Sequence, residues 1–180
     1  MIADATGTGP RVLVAAASKH GATAQIAERI GETLRGRGCE VTVADAGQVD
    51  AVDGYDAVVL GSAVYAGHWL DDAKALADRV AAQRRRPAVW LFSSGPVGDP
   101  PKPDEDPVDV AAVAEATAPR EHRVFAGRID KSKLGFAERA IMIAVRAAEG
   151  DFRDWDAITG WADEIADTLQ AAPLRGGPDA

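Results

Sequence analysis

Residues 11–28 read RVLVAAASKHGATAQIAE, an apolar run of β-forming and small residues that breaks at Ser18-Lys19-His20-Gly21-Ala22-Thr23 and resumes with helical spacing. The stretch predicts a strand, a tight loop and a helix. A turn of small residues lets backbone N–H groups point inward, and the helix that follows adds unpaired amides and the positive end of its dipole. Such a nest suits a phosphate monoester. Ser18 and Thr23 add hydroxyl donors, Gly21 permits a positive φ, and Lys19, His20 and Ala22 complete the loop. With Gly21 as its one glycine and no lysine after it, the loop matches neither Gly-x-Gly-x-x-Gly nor the Gly-x-x-x-x-Gly-Lys-Ser/Thr pattern. Pyrophosphate and triphosphate ligands are disfavoured accordingly.

Outward from this stretch, strand-like and helical segments alternate. Helical spacing runs from Thr23 to Arg37, and Cys39–Ala44 alternates as a strand. Tyr55–Gly61 reads as a buried strand, Leu70–Gln83 as a helix with acidic Asp71 and Asp72 in its first turn, and Ala88–Phe92 as a fourth strand. A proline-rich acidic stretch, 99–109, precedes a short helix over about 108–117 and a fifth strand at His122–Ile129. Asp130–Ala148 is an apolar, basic helix expected to pack on the sheet, and Asp156–Gln170 is the last helix. This alternation predicts an α/β fold with a mostly parallel sheet. At 180 residues and 47% hydrophobic composition, the chain is expected to form one domain over 11–171, with flexible tails at 1–10 and 172–180.

In an open parallel sheet, ligands sit beyond the carboxyl ends of the strands at the switch point. The loops after the first and third strands meet there. The second loop is Gly61-Ser62-Ala63-Val64-Tyr65-Ala66-Gly67-His68-Trp69, an aromatic among small residues that offers a flat wall and free backbone groups to a planar ring. A third loop, Ser93-Ser94-Gly95-Pro96-Val97-Gly98, opens from the fourth strand at the same edge.

Ser18, Gly21 and Thr23 resemble the flavodoxin loop Ser/Thr-x-Ser/Thr-Gly-x-Thr, with His20 in place of the middle hydroxyl. The second loop resembles that of the menaquinone-dependent protoporphyrinogen IX dehydrogenase branch of flavodoxins, above all in Gly67-His68. The resemblance implies a flavodoxin-like three-layer sandwich with five parallel strands in the order 2-1-3-4-5, binding FMN. It implies that 18–23 hold the phosphate, that Ser62 to Gly67 flank the isoalloxazine ring, that His68 or Trp69 borders its edge, and that 93–98 complete the site. Two features depart from the branch. Tyr65-Ala66 stand where a basic residue and an aromatic are common, and the connection from the apolar helix to Asp154-Trp155 is shorter.

A net charge of -8, from 20 basic against 28 acidic residues, argues against nucleic acid as a partner. Arg84-Arg85-Arg86 reads as a solvated helix end. The N-terminus lacks a signal-peptide pattern and no apolar run reaches about 18 residues, so a cytoplasmic protein is expected. Cys39 stands alone and reads as a structural thiol. Three functions stay open: an FMN oxidoreductase, a one-electron carrier between proteins, and a module that binds a deazaflavin or no flavin. The partner is then a redox protein or a small electron donor or acceptor such as a quinone, with peripheral membrane contact through the 130–148 helix as the further alternative.

Overall fold

Every side chain of the strand Arg11–Ala17 after the first is buried, and successive residues serve opposite faces. Val12, Val14 and Ala16 join one apolar layer, and Leu13, Ala15 and Ala17 join the other. A strand buried on both faces needs no polar alternation, which is why it reads as a continuous apolar run. Around this strand, β1, the computed structural model describes residues 9–95, 106–144 and 149–171. Pro96, Val97, Gly98, most of the proline-rich stretch, residues 145–148 and the expected tails (residues 9 and 10 excepted) lie outside the described residues.

In chain order the elements are β1, α1 (Ala22–Gly36), β2 (Glu40–Asp45), β3 (Ala57–Tyr65), β4 (His68–Trp69), α2 (Asp71–Ala81), β5 (Ala88–Ser94), α3 (Val110–Thr117), β6 (Glu121–Phe125), β7 (Arg128–Ile129), α4 (Phe136–Ala144), β8 (Gly150–Asp151) and α5 (Trp155–Ala171). The main sheet runs β2-β1-β3-β5-β6 with every pair parallel. Counted over its parallel strands, this is the expected 2-1-3-4-5 order. Helices α1 and α5 cover one face and α2 and α3 the other. On the first face Phe92, Phe125 and Trp161 pack ring against ring, with centroids 5.5 to 6.2 Å apart. The Trp161 indole donates to Glu121 at 2.8 Å, so its polar edge is paired as its ring is buried.

Four expectations are corrected. β3 does not end at Gly61 but continues to Tyr65 and returns as β4, with Tyr65 opposite His68. The two residues between them, Ala66 and Gly67, have φ of 48° and 80°, the pair of positive values that a two-residue hairpin requires. That turn sends Trp69 into the core under α2, where its indole donates to Ser93 at 2.8 Å, so it does not border the cleft described below.

The expected fifth strand is split. β6 ends at Phe125, and β7 leaves the sheet to pair antiparallel with β8, Arg128 opposite Asp151. Nor does α4 pack on the sheet. Both faces are already covered, and Phe136, Ile141 and Ile143 are exposed.

Gly61 lies opposite Phe92 in the ladder, and a Cβ there would stand 2.0 Å from the ring. Gly61→Ala should therefore destabilise the protein by roughly 1–3 kcal/mol through overpacking, read as a lower urea midpoint with an unchanged slope. His122 lies 2.8 Å from the Ser93 hydroxyl, and burial lowers its pKa from the ordinary 6.5 against the opposing pull of Asp106. The unfolded chain then binds the proton more tightly. Stability contributed by neutral His122 is present above pH 6.5 and is lost as pH falls toward the depressed value. The melting temperature should drop more between about pH 7.5 and pH 5.5 in the wild type than in His122→Gln.

Candidate functional site

The loop after β1 is built by its own side chains. Ser18 Oγ accepts the Gly21 N–H at 3.0 Å, and Gly21 takes φ 87°, which turns the chain into α1. Among the described residues no side chain caps that helix. Its leading amides are thus free of the Ser, Thr or Asp oxygen that usually occupies them. Thr23 is 2% exposed and lies in the first turn.

A cleft of about 330 Å³ opens here, at the carboxyl edge of the sheet. Ser18, Lys19, His20, Ala22 and Thr23 form one side; Ala63, Val64, Tyr65 and Ala66 of the β3 end form a second; Ser94 and Gly95 from β5 add a third. Three separate loops of the sequence therefore meet around one space. Gly21 shapes the first without lining the cleft.

Four further expected residues are not on the lining. Ser62 and Ser93 are register partners one step inside the sheet edge and are fully buried. Ser62 Oγ accepts the Leu70 N–H at 2.9 Å, and Ser93 bonds Trp69 and His122. Gly67 is spent on the hairpin turn, and His68 is turned away with its Nδ1 3.1 Å from Asp109. Trp90 packs in the α1/α5 layer, also away from the cleft. Pro96, Val97 and Gly98 lie outside the described residues.

The fourth wall comes from a segment that sequence reasoning did not assign to the site. It comprises Gly127, Arg128, Ile129 and Asp130, then Lys133, Leu134, Glu138, Ile141 and Met142. Glu138 is its centre. One carboxylate oxygen receives the Lys19 ammonium and the Tyr65 hydroxyl, the latter at 2.5 Å, and lies 3.4 Å from His20 Nε2. The other accepts the Gly135 N–H at 2.8 Å, the backward bond of a capping box at the start of α4. Lys19, then Tyr65 and the Gly135 amide, pull the Glu138 pKa down to about 2, so it is an anion at any working pH. Burial, then the bond to Glu138 and its charge, push the Tyr65 phenol well above its ordinary value. Lys19 also lies 4.1 Å from the centroid of the Tyr65 ring, and Lys133 reaches the His20 carbonyl at 3.5 Å.

Beneath the loop sits a second unexpected residue. The Arg153 side chain is 3% exposed and bonds the Ala22 carbonyl at 3.1 Å, Gln25 Oε1 at 2.7 Å and both oxygens of Asp151. It ties β8 to the first turn of α1. Nothing local in the sequence announces it, since its α1 partners lie 128 and 131 residues away.

A family model described as "Flavodoxin domain" matches residues 13–156. No curated protein matches the sequence significantly. Among solved structures, a flavodoxin from the domain Archaea superposes with a TM-score of 0.61 at 16% identity, covering 89% of this chain and 99% of that one. The Streptococcus pneumonia TIGR4 flavodoxin gives 0.59 at 19% identity, covering 89% and 98%. Rubredoxin oxygen:oxidoreductase from Desulfovibrio gigas gives 0.62 at 16% identity over 91% of this chain, which spans 37% of that longer protein. At these identities the structural likeness speaks for the fold.

The raised Tyr65 pKa has a direct readout. The phenolate absorbance of Tyr65, isolated by subtracting the Tyr65→Phe spectrum, should not develop below about pH 11, whereas an ordinary tyrosine is mostly ionised there.

Proposed function

Because the chain belongs to the flavodoxin domain family, we propose that it binds one FMN noncovalently and acts as a redox protein. The observation that carries this reading is a single continuous space: an uncapped helix start at one end and an aromatic-walled, largely apolar slot at the other. Its volume of about 330 Å³ falls in the range of small-molecule sites, roughly 300–1,000 Å³. The residues fit the group. Ser18 to Thr23 would hold the phosphate through backbone amides and hydroxyls, and Tyr65 with Ala63, Val64, Ala66, Ser94 and Gly95 would border the ring. FMN, when bound, supplies the electron-transfer chemistry; the protein supplies position and exclusion of water. Leu134, Ile141 and Met142 line the open side of the cleft.

Oxidoreductase activity related to quinone-linked protoporphyrinogen dehydrogenases is the finer reading, and it is supported by the resemblance of residues 61–69. The exposed Phe136, Ile141 and Ile143, near Lys131, Lys133 and Arg139, give the cleft rim an apolar and basic make-up. That surface favours an apolar small molecule such as a quinone as electron partner over a docking redox protein, with peripheral membrane contact the weaker alternative. Among the described residues no helix is long and apolar enough to cross a membrane, and cytoplasmic residence belongs to the same proposal.

Titration of the purified protein with FMN should quench flavin fluorescence at one equivalent. Ser18→Ala combined with Thr23→Val should weaken binding by about tenfold or more, the worth of one to two hydrogen bonds. Anaerobic reduction in two resolved one-electron steps would favour the carrier, and a single two-electron step the oxidoreductase. A protein that leaves FMN fluorescence unchanged overturns the reading in favour of a deazaflavin or a module without flavin.

A further inference from the structure

Helix α4 contains no buried residue, and Phe136 at its start is 93% exposed. What fastens it across the cleft is Glu138. The groups that hold this carboxylate from outside its own helix start are Lys19, His20 and Tyr65. Two of these belong to the loop that opens onto α1, so a carboxylate brought from 119 residues away already engages the loop's own lysine. A phosphate monoester arriving at that loop carries about -1.5 to -2 charge and three acceptor oxygens. It meets a lysine already paired, a histidine facing a carboxylate, and Lys133 at the His20 carbonyl.

We propose that Glu138 is an internal anion that competes with the ligand phosphate for Lys19, so that binding of a phosphate monoester at Ser18–Thr23 unlatches α4 from the cleft. The identity of the ligand as FMN rests on the reading above; the competition itself requires only a phosphate. Among the described residues, a helix with no buried side chain has little else to hold it once its one carboxylate is released. The coupling is reciprocal: whatever phosphate does to the latch, the latch does to phosphate affinity. Glu138 thus also sets selectivity. It opposes a flavin that carries a phosphate and is indifferent to one that does not, and its release exposes the apolar rim that would meet an electron partner.

The test uses the full chain and two readouts. Hydrogen exchange across 136–144 should speed up several-fold in saturating inorganic phosphate relative to chloride at equal ionic strength. In Glu138→Gln it should be fast in both, and Lys19→Met should abolish the response to phosphate. Fluorescence titrations should show FMN binding about tenfold tighter in Glu138→Gln with riboflavin changed less than about twofold. Exchange that is unchanged or slowed by phosphate in the wild type overturns the latch, as does an equal shift for FMN and riboflavin. Should neither flavin bind while phosphate still accelerates exchange, the latch stands and the FMN reading falls.

Discussion

A central strand that offers no face to water governs this molecule. With Val12 through Ala17 sealed between two apolar layers, the polar work of β1 can be done only where it ends. There the backbone must satisfy its N–H and C=O groups without a ladder, and the chain answers with a glycine in the left-handed region, a serine folded back on its own loop and a helix that starts uncapped. β3 and β5 reach the same edge in register, Ser62 beside Ser93, and both hydroxyls are turned inward to seal the floor. The cleft lies where β1 and β5 stop and β3 runs on to Tyr65.

The fourth wall is held by a different force. α1, α2, α3 and α5 are fixed by apolar burial on the two sheet faces, while α4 buries no side chain on either. It is held at the cleft by charge and hydrogen bonds centred on one carboxylate. A chain with net charge -8 nevertheless gathers Lys19, Lys133, Arg128 and Arg153 around one edge of its sheet, with Glu138 among them. Global charge argues about nucleic acid and solubility; the cleft has its own balance.

Whatever depends on local chain physics was legible in the sequence. The apolar run into Ser18–Thr23 and back to helical spacing gave strand, loop and helix, and the small residues at Gly61–Ala66 and Ser94-Gly95 marked the converging edge. The failures are instructive. Ala66-Gly67 does not look like a hairpin turn, because an alanine with positive φ is rare, and so β4 was hidden and Trp69 was expected at the rim instead of the core. The apolar residues of α4 imitate a buried face; only the fold shows that no sheet is left to bury them. Glu138 reaches Tyr65, His20 and Lys19 across 73 to 119 residues and Arg153 reaches α1 across 128 and 131, and no periodicity or spacing reports such pairs.

Arg153 carries one last implication, for how the protein comes into being. The loop of residues 18–23 leaves the ribosome after β1, and β2, β3 and β5 follow in turn. Yet the guanidinium that clamps the first turn of α1, and the helix α5 that packs against α1, are encoded in the final third of the chain. At translation speeds of about 5–20 residues per second the nascent loop waits several seconds for its floor. The cleft is therefore complete only once Arg153 has been made, and a ribosome that stalls before it releases strands whose loop at 18–23 lacks its clamp.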